Sequence, residues 1–234
     1  MDRQQALDLL HNHLKAENLR KHCLATEAIM RALAERLNEP VDLWGIAGLL
    51  HDLDFEETAD QPSGHGLRTA DILAGSDLPP EAITAIKAHN AEALGVERKS
   101  TFDFALTCAE SITGLVIATA LVYPDKRLAS VKPKSILKRM KKKDFARRVN
   151  RDQIRLCEEI GVPLADFAEL SLRAMQGISA YSPLAWGLNG FLDIFVRGAD
   201  FWSVLPNVIG LLLFSLAALV ISVFLFKFRN QKVK

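Results

Sequence analysis

The chain has 234 residues, 49% apolar and 24% charged, an ordinary globular composition with room for one large domain or for one domain and an appendage. Its net charge of +1 hides segregation: residues 1–125 carry 10 Lys/Arg against 20 Asp/Glu, residues 126–155 carry 13 against 2, and residues 156–234 carry 6 of each. Cys23, Cys108 and Cys157 contain no Cys-x-x-Cys pair and cannot all be disulfide-bonded within one chain, so a reduced compartment suits them best.

In chain order, a first helix is predicted over residues 4–16, apolar at Ala6, Leu7, Leu9, Leu10 and Leu14, with Asp2 as N-cap. No apolar run follows a basic one at the start, so no secretory signal is expected. Residues 19–37 continue with Leu24, Ala28, Ile29, Ala32, Leu33 and Leu37 on one face; Pro40 stops this helix and Asp42 can cap the next, over 43–53. Asp60, Pro62, Ser63 and Gly64 mark 56–64 as loop. Helices then follow over 65–74, 80–89 and 102–122, the last ended by Pro124. Segments 135–143, 151–160 and 164–179 complete an all-helical domain over residues 1–180, with Phe167, Leu170, Ala174, Met175 and Ile178 as the last inward stripe. Strand signals are nearly absent.

The chemistry lies in a series of imidazoles and carboxylates. The run WGIAGLLHDLD ends in His51-Asp52, a pair of hard-to-bury groups at the lip of an apolar helix. His22 precedes it, and His65, His89 and Glu110 follow at intervals that fit successive helices. Adjacent side chains lie about 100° apart within a helix, so His51 and Asp52 can converge only at its end. Imidazole and carboxylate without Cys select Mn, Fe, Co, Ni or Zn and argue against a structural zinc site. Six candidate ligands exceed the need of one ion, so a two-metal centre is expected, with Asp52 able to bridge. His11 and His13 read as surface residues.

The order His22, His51-Asp52, His65, His89, Glu110, with the phrases HCLATEAIMRALAERL, GIAGLLHDLDFE, HGLRTADIL, AIKAHN and TCAESITGLVIATALVYPDKRL, resembles the HD superfamily of metal-dependent phosphohydrolases over residues 1–180. The small bacterial HD hydrolases are the nearest group, and the later histidines are also similar to the HD enzymes that cleave bis-nucleoside tetraphosphates. The resemblance implies an HD helical bundle in which His22, His51, Asp52 and a final acid bind one metal, while His65 and His89 complete a second. It further implies hydrolysis of a phosphate ester or anhydride, in a nucleotide, by a metal-activated hydroxide without a covalent intermediate. Two departures stand out: Glu110 replaces the usual Asp, and the usual Lys after the His-Asp pair is missing, with Asp54 and Glu56 nearby instead. Asp52 and Asp54 are the catalytic candidates; either Asp54 or Glu56 can serve as general acid for the leaving group, although a solvated loop is the plainer reading of both. Asn90 and Lys87 are the substrate-binding candidates, although Asn90 can equally cap a helix end.

Residues 126–155 carry the basic block. Ile136, Leu137, Met140 and Phe145 give it an inward side, so it reads first as a solvated helix face. The alternatives are a rim that steers anionic substrates, or a footprint for nucleic acid or anionic lipid, for which stacking aromatics are lacking.

Beyond Ala180 the composition changes: Trp, Leu, Phe and Gly dominate, and residues 204–226 are 23 positions without a charge. At ~1.5 Å per residue these span about 35 Å, enough for a transmembrane helix. Lys227, Arg229, Lys232 and Lys234 behind it would place the C-terminus in the cytoplasm, against a domain that otherwise looks cytosolic. A tail anchor breaking the charge rule and a re-entrant segment over 184–196 are the two resolutions. The stretch also resembles the end of ABC-2-type permeases, which would make the tail a fusion remnant joined near 180–181. The combined expectation is an all-α HD bundle in the cytoplasm, attached to a membrane through residues 204–226 and acting on a phosphorylated small molecule or nucleotide. No protein partner can be named, and nucleic acid is disfavoured. A catalytically silent nucleotide-binding module and a membrane transport component are the rival readings.

Overall fold

The computed structural model describes residues 1–180 and 201–231. These are all-helical, with no strand among them. The chain divides into two compact units, Met1–Gln176 and Gly177–Lys234.

Unit one begins with α1 (Arg3–His13), where Asp2 and Gln5 form a reciprocal capping box, the cap expected from the sequence. α2 (Glu17–Leu37) ends on Asn38 in the left-handed conformation. α3 (Val41–Leu50) is buried from Trp44 to Leu50 and packs against α1, α2 and two later helices. Asp42 does not cap α3. The N-cap is Pro40, and the Asp42 carboxylate instead accepts from Arg31 at 2.8 Å, tying α3 to α2. Gly48 permits the close approach of these two helices: a Cβ there would lie 3.1 Å from the Glu27 backbone.

α3 stops at Leu50, three residues earlier than its apolar pattern suggests, and residues 51–54 form a turn. The stretch read as loop contains α4 (Phe55–Thr58) and a 3-10 turn, Pro62–Gly64. The Asp54 carbonyl starts α4 by accepting from the Thr58 amide and hydroxyl. α5 (Leu67–Leu73) begins after Gly66, which is left-handed at φ 86°, so His65 lies before the helix rather than in it. α6 (Pro80–His89) and the short α7 (Ala91–Leu94) lead to α8 (Thr101–Leu121).

α8 is capped by Ser100 and Asp103 and runs through the core, with the Trp44 and Phe102 rings stacked at 4.9 Å between α3 and α8. It is long and apolar enough to cross a membrane, yet 67% of its apolar window is buried inside unit one. α9 (Pro133–Met140) buries Ile136 and Met140 against the core and exposes Lys134 and Lys138, as its amphipathic pattern requires. The segment predicted over 151–160 is α10 (Arg151–Arg155) followed by a 3-10 turn, Leu156–Glu158. α11 is Leu164–Ala180; Phe167 and Met175 are buried, Leu170 and Ala174 pack partly, and the Ile178 side chain lies outside the described residues.

In unit two, α12 (Phe201–Gln231) contains Pro206 and an apolar stretch, Val204–Val220. Leu212, Leu213, Phe214, Leu216, Leu219 and Val220 are exposed along it. The re-entrant segment considered over 184–196, like the junction proposed at 181, lies outside the described residues.

Candidate metal centre

The turn after α3 carries the central pair. His51 is fully buried and its Nδ1–H donates to the Gly48 carbonyl at 2.8 Å. Its Nε2 therefore holds a lone pair, and this nitrogen lies 3.3 Å from Asp52 Oδ1. His22 arrives from α2. The Thr113 hydroxyl donates to the Glu110 carbonyl at 2.6 Å, so its oxygen accepts from His22 Nδ1–H at 2.9 Å. His22 Nε2 points inward, 3.5 Å from Asp52 Oδ2 and 3.2 Å from His51 Nε2.

The other two imidazoles repeat the arrangement. His65 Nδ1–H donates to Asp54 Oδ1 at 2.7 Å, leaving Nε2 3.2 Å from Asp52 Oδ1. His89, in the last turn of α6, donates from Nδ1 to the Ile86 carbonyl; its Nε2 lies 3.6 Å from Asp52 Oδ1 and 2.9 Å from His65 Nε2. All four rings are thus held from outside by an acceptor at Nδ1 and present Nε2 to one carboxylate. Outer-shell acceptors fix the tautomer of metal-binding histidines in this way. Four inward lone pairs around one carboxylate repel one another unless a cation or proton lies between them, so the donor set fits a divalent cation.

Without an ion, the four rings do not share one charge state. Burial pushes His51 down to about 3 and His89 down to about 4, so both are neutral. Burial opposes the charge on Asp52, but His51, His65, His22 and His89 overcome it and hold the carboxyl well below the usual carboxylate range. Burial would also lower His65, yet its contacts with Asp52 and Asp54 raise it to about 10, so without an ion its Nε2 keeps a proton among the inward nitrogens, in the place a metal would take. Two clusters close enough to grip an ion result: His22, His51 and Asp52, and Asp52, His65 and His89. The Asp52 carboxylate belongs to both.

The remaining candidates are arranged differently. Asp54 is fully buried, accepting from His65 through one oxygen and from the Gly66 and Thr69 amides, at 2.7 and 2.9 Å, through the other. With both oxygens committed, it is placed to orient His65, and its burial does not fit a solvated loop. Glu56 is exposed and accepts from the Lys15 and Ala16 amides, anchoring the α1–α2 connection. Asn90 closes α6, and its amide donates to the Pro62 and His65 carbonyls, holding the turn that carries His65. Glu110 lines the cleft but stands outside both close clusters; burial raises its carboxyl to about 8, against a hydrogen bond from Ser111. Lys87 is half-buried in the last turn of α6 and is not among the residues lining the cleft.

The cleft over the cluster measures about 440 Å³, within the range of small-ligand sites, and is walled by Leu19 and Phe55 with Asn18, Asn90 and Gln153 as polar contacts. Thr113, Ser111 and Gln153 escaped the sequence reading. Thr113 carried one usable signal, its position one turn beyond Glu110 on the same face of α8.

Comparison with known proteins agrees with this geometry. Residues 19–118 match the family model described as the HD domain. That segment contains all six proposed ligands together with Thr113 and supports an HD superfamily protein. Members of this family are generally metal-dependent hydrolases, some of them inactive. No curated protein and no solved structure matches the chain. The permease resemblance of the tail gains no support from these comparisons.

Proposed function

We propose that this chain is a metal-dependent phosphohydrolase whose centre would hold two divalent ions, with Asp52 available to both. His22 and His51, with Glu110 as the further acid facing the cleft, would hold one ion, and His65 and His89 would hold the other. The observation that carries this reading is the convergence of four tautomer-fixed Nε2 atoms on a single carboxylate. When bound, the ions would supply Lewis-acid activation of water and neutralise charge on a phosphoryl group. The chain itself fixes the ligands, through the Gly48 and Ile86 carbonyls, Asp54 and Thr113. Leu19 and Phe55 restrict water at the mouth, and Asn90 keeps the His65 turn in place while facing substrate. Cysteine takes no part: burial raises Cys23 and Cys108 well above the usual thiol range and pushes Cys157 up to about 12. The substrate proposed is a phosphate ester or anhydride of a nucleotide.

The test is metal analysis of the purified full-length chain, followed by turnover of a nucleotide panel with Mn, Fe or Co supplied. Stoichiometric metal and release of phosphate or nucleotide are expected. Absence of both would overturn the enzyme reading.

We also propose that α12 attaches the protein to a membrane. Support comes from the uncharged run 201–226 and from the apolar side chains exposed along Val204–Val220. Release of the protein from membranes by deleting residues 201–234 is expected in a cell fractionation; unchanged partitioning would reject it.

A further inference from the structure

A second hollow of about 220 Å³ opens from the cleft. The two share His22, Glu110 and Gln153, but Asp52, His65 and His89 line only the first, while Arg148 lines only the second. Arg148 belongs to the basic block, and the segment bearing it is built onto α8 rather than left in solvent. The Arg151 guanidinium donates to the carbonyls of Lys142 at 3.0 Å, Val149 at 2.9 Å, Ala146 at 3.3 Å and Phe145, gathering the turn around one cation. Val149 then rests on Gly114, where a Cβ would come within 3.1 Å of its Cγ2. Gly114 lies one helical turn beyond Glu110. Gln153 completes the join, its Oε1 lying 3.1 Å from the Ser111 hydroxyl and its amide donating to Glu92 at 3.1 Å.

The two nearest arginines are engaged elsewhere: Arg147 pairs with Asp144 at 3.5 Å, and Arg151 is spent on carbonyls. Arg148 has no hydrogen bond or ion pair among the described residues. Arg148 is exposed, so its guanidinium is available at the edge of the cleft; such a planar fork matches a phosphate, and the packed backbone beneath it lowers the cost of ordering it. We infer that this hollow is a second anion subsite, in which Arg148 binds a phosphate of the substrate other than the one at the four imidazoles. The substrate class is then a compound carrying at least two phosphates. This rests on the phosphohydrolase reading for its purpose, but its ligand chemistry can be measured separately.

The experiment compares the full-length chain with Arg148→Ala, Arg148→Lys and, as a control for diffuse charge, Lys141→Ala, an exposed lysine of the same segment. Inorganic pyrophosphate and inorganic phosphate are titrated calorimetrically without added metal, and bound metal is counted in parallel. Arg148→Ala should weaken pyrophosphate about tenfold or more, with phosphate changed far less and metal content unchanged. Arg148→Lys should fall between, and Lys141→Ala should match the parent. Equal weakening of both anions, no weakening, a matching loss in Lys141→Ala, or altered metal content in Arg148→Ala would each overturn the subsite. A parent chain that binds pyrophosphate through Arg148 but holds no metal and turns over nothing would sink the enzyme reading and leave the subsite standing.

Discussion

Thr113 Oγ1 and His22 Nδ1 lie 2.9 Å apart, and because the hydroxyl already donates to the Glu110 carbonyl, it can only accept from the imidazole. One threonine on the core helix thereby sets which nitrogen of a histidine on α2 faces Asp52. Thr113→Val keeps the shape and removes the acceptor. Metal affinity should fall about 10- to 100-fold, with an unchanged helical circular dichroism spectrum, and Thr113→Ser should restore it. A competitive chelator titration of the three proteins decides; affinity unaltered in the valine variant would separate Thr113 from the site.

Asp54→Asn tests the His65 half of the centre. An amide nitrogen cannot accept from Gly66 or Thr69, so one carboxylate role must fail, at a cost of about 1–3 kcal/mol. Metal content should drop towards one ion per chain because His22, His51 and Asp52 remain. An undiminished count of two would show that Asp54 is dispensable for holding the His65 turn.

The protein freed of metal should be most stable near pH 6.5. Burial lowers His51 and His89 to about 3 and about 4 from 6.5, so their contribution is full above 6.5 and is lost as pH falls through those values. Burial raises Glu110 from 4.5 to about 8, so its contribution is full below 4.5 and disappears as pH rises through 8. His65, raised to about 10 against its burial by Asp52 and Asp54, adds stability that is full below 6.5 and lost as pH climbs through 10. Denaturant unfolding between pH 4 and 9 should give a dome, and Glu110→Gln should flatten its alkaline side up to pH 8. A curve still rising at pH 8 would contradict these assignments.

Gly66→Ala probes the turn before α5. Its φ of 86° disfavours a side chain, and the added Cβ would lie 3.3 Å from the Ile86 carbonyl, the oxygen that accepts from His89. A loss of roughly 1–2 kcal/mol is expected from the backbone alone. Weaker metal binding should accompany it through displacement of that carbonyl. Urea unfolding and metal titration read the two effects, and a variant with parental values in both would show that the turn relaxes freely.

Much of this was legible in the sequence because helical periodicity and the order of ligands are local or ordinal signals. The amphipathic run around Leu33, the inward stripe from Phe167 to Met175 and the interruption at His51-Asp52 survive without knowledge of what packs where. The surroundings of Asp54 were not legible because its partners, His65, Gly66 and Thr69, come from a chain reversal that no periodicity announces. Arg148 looked like one more solvated cation, since nothing in the sequence ties Val149 to Gly114 or Arg151 to four carbonyls. Asp42 carried a good capping residue type in the right neighbourhood, but its carboxylate is used by Arg31 across the helix pair.

Gly48 is where two demands meet. Its missing side chain lets α3 settle on the Glu27 backbone, and its carbonyl fixes the His51 ring. Any shift of α3 away from α2 therefore moves a ligand, and any ion that pulls on His51 pulls on the spacing of the two helices. Mechanical tolerance in the bundle is thus shared with the candidate metal centre. Repacking the core around Gly48, even with residues that preserve its volume, would retune ion affinity without touching a single ligand.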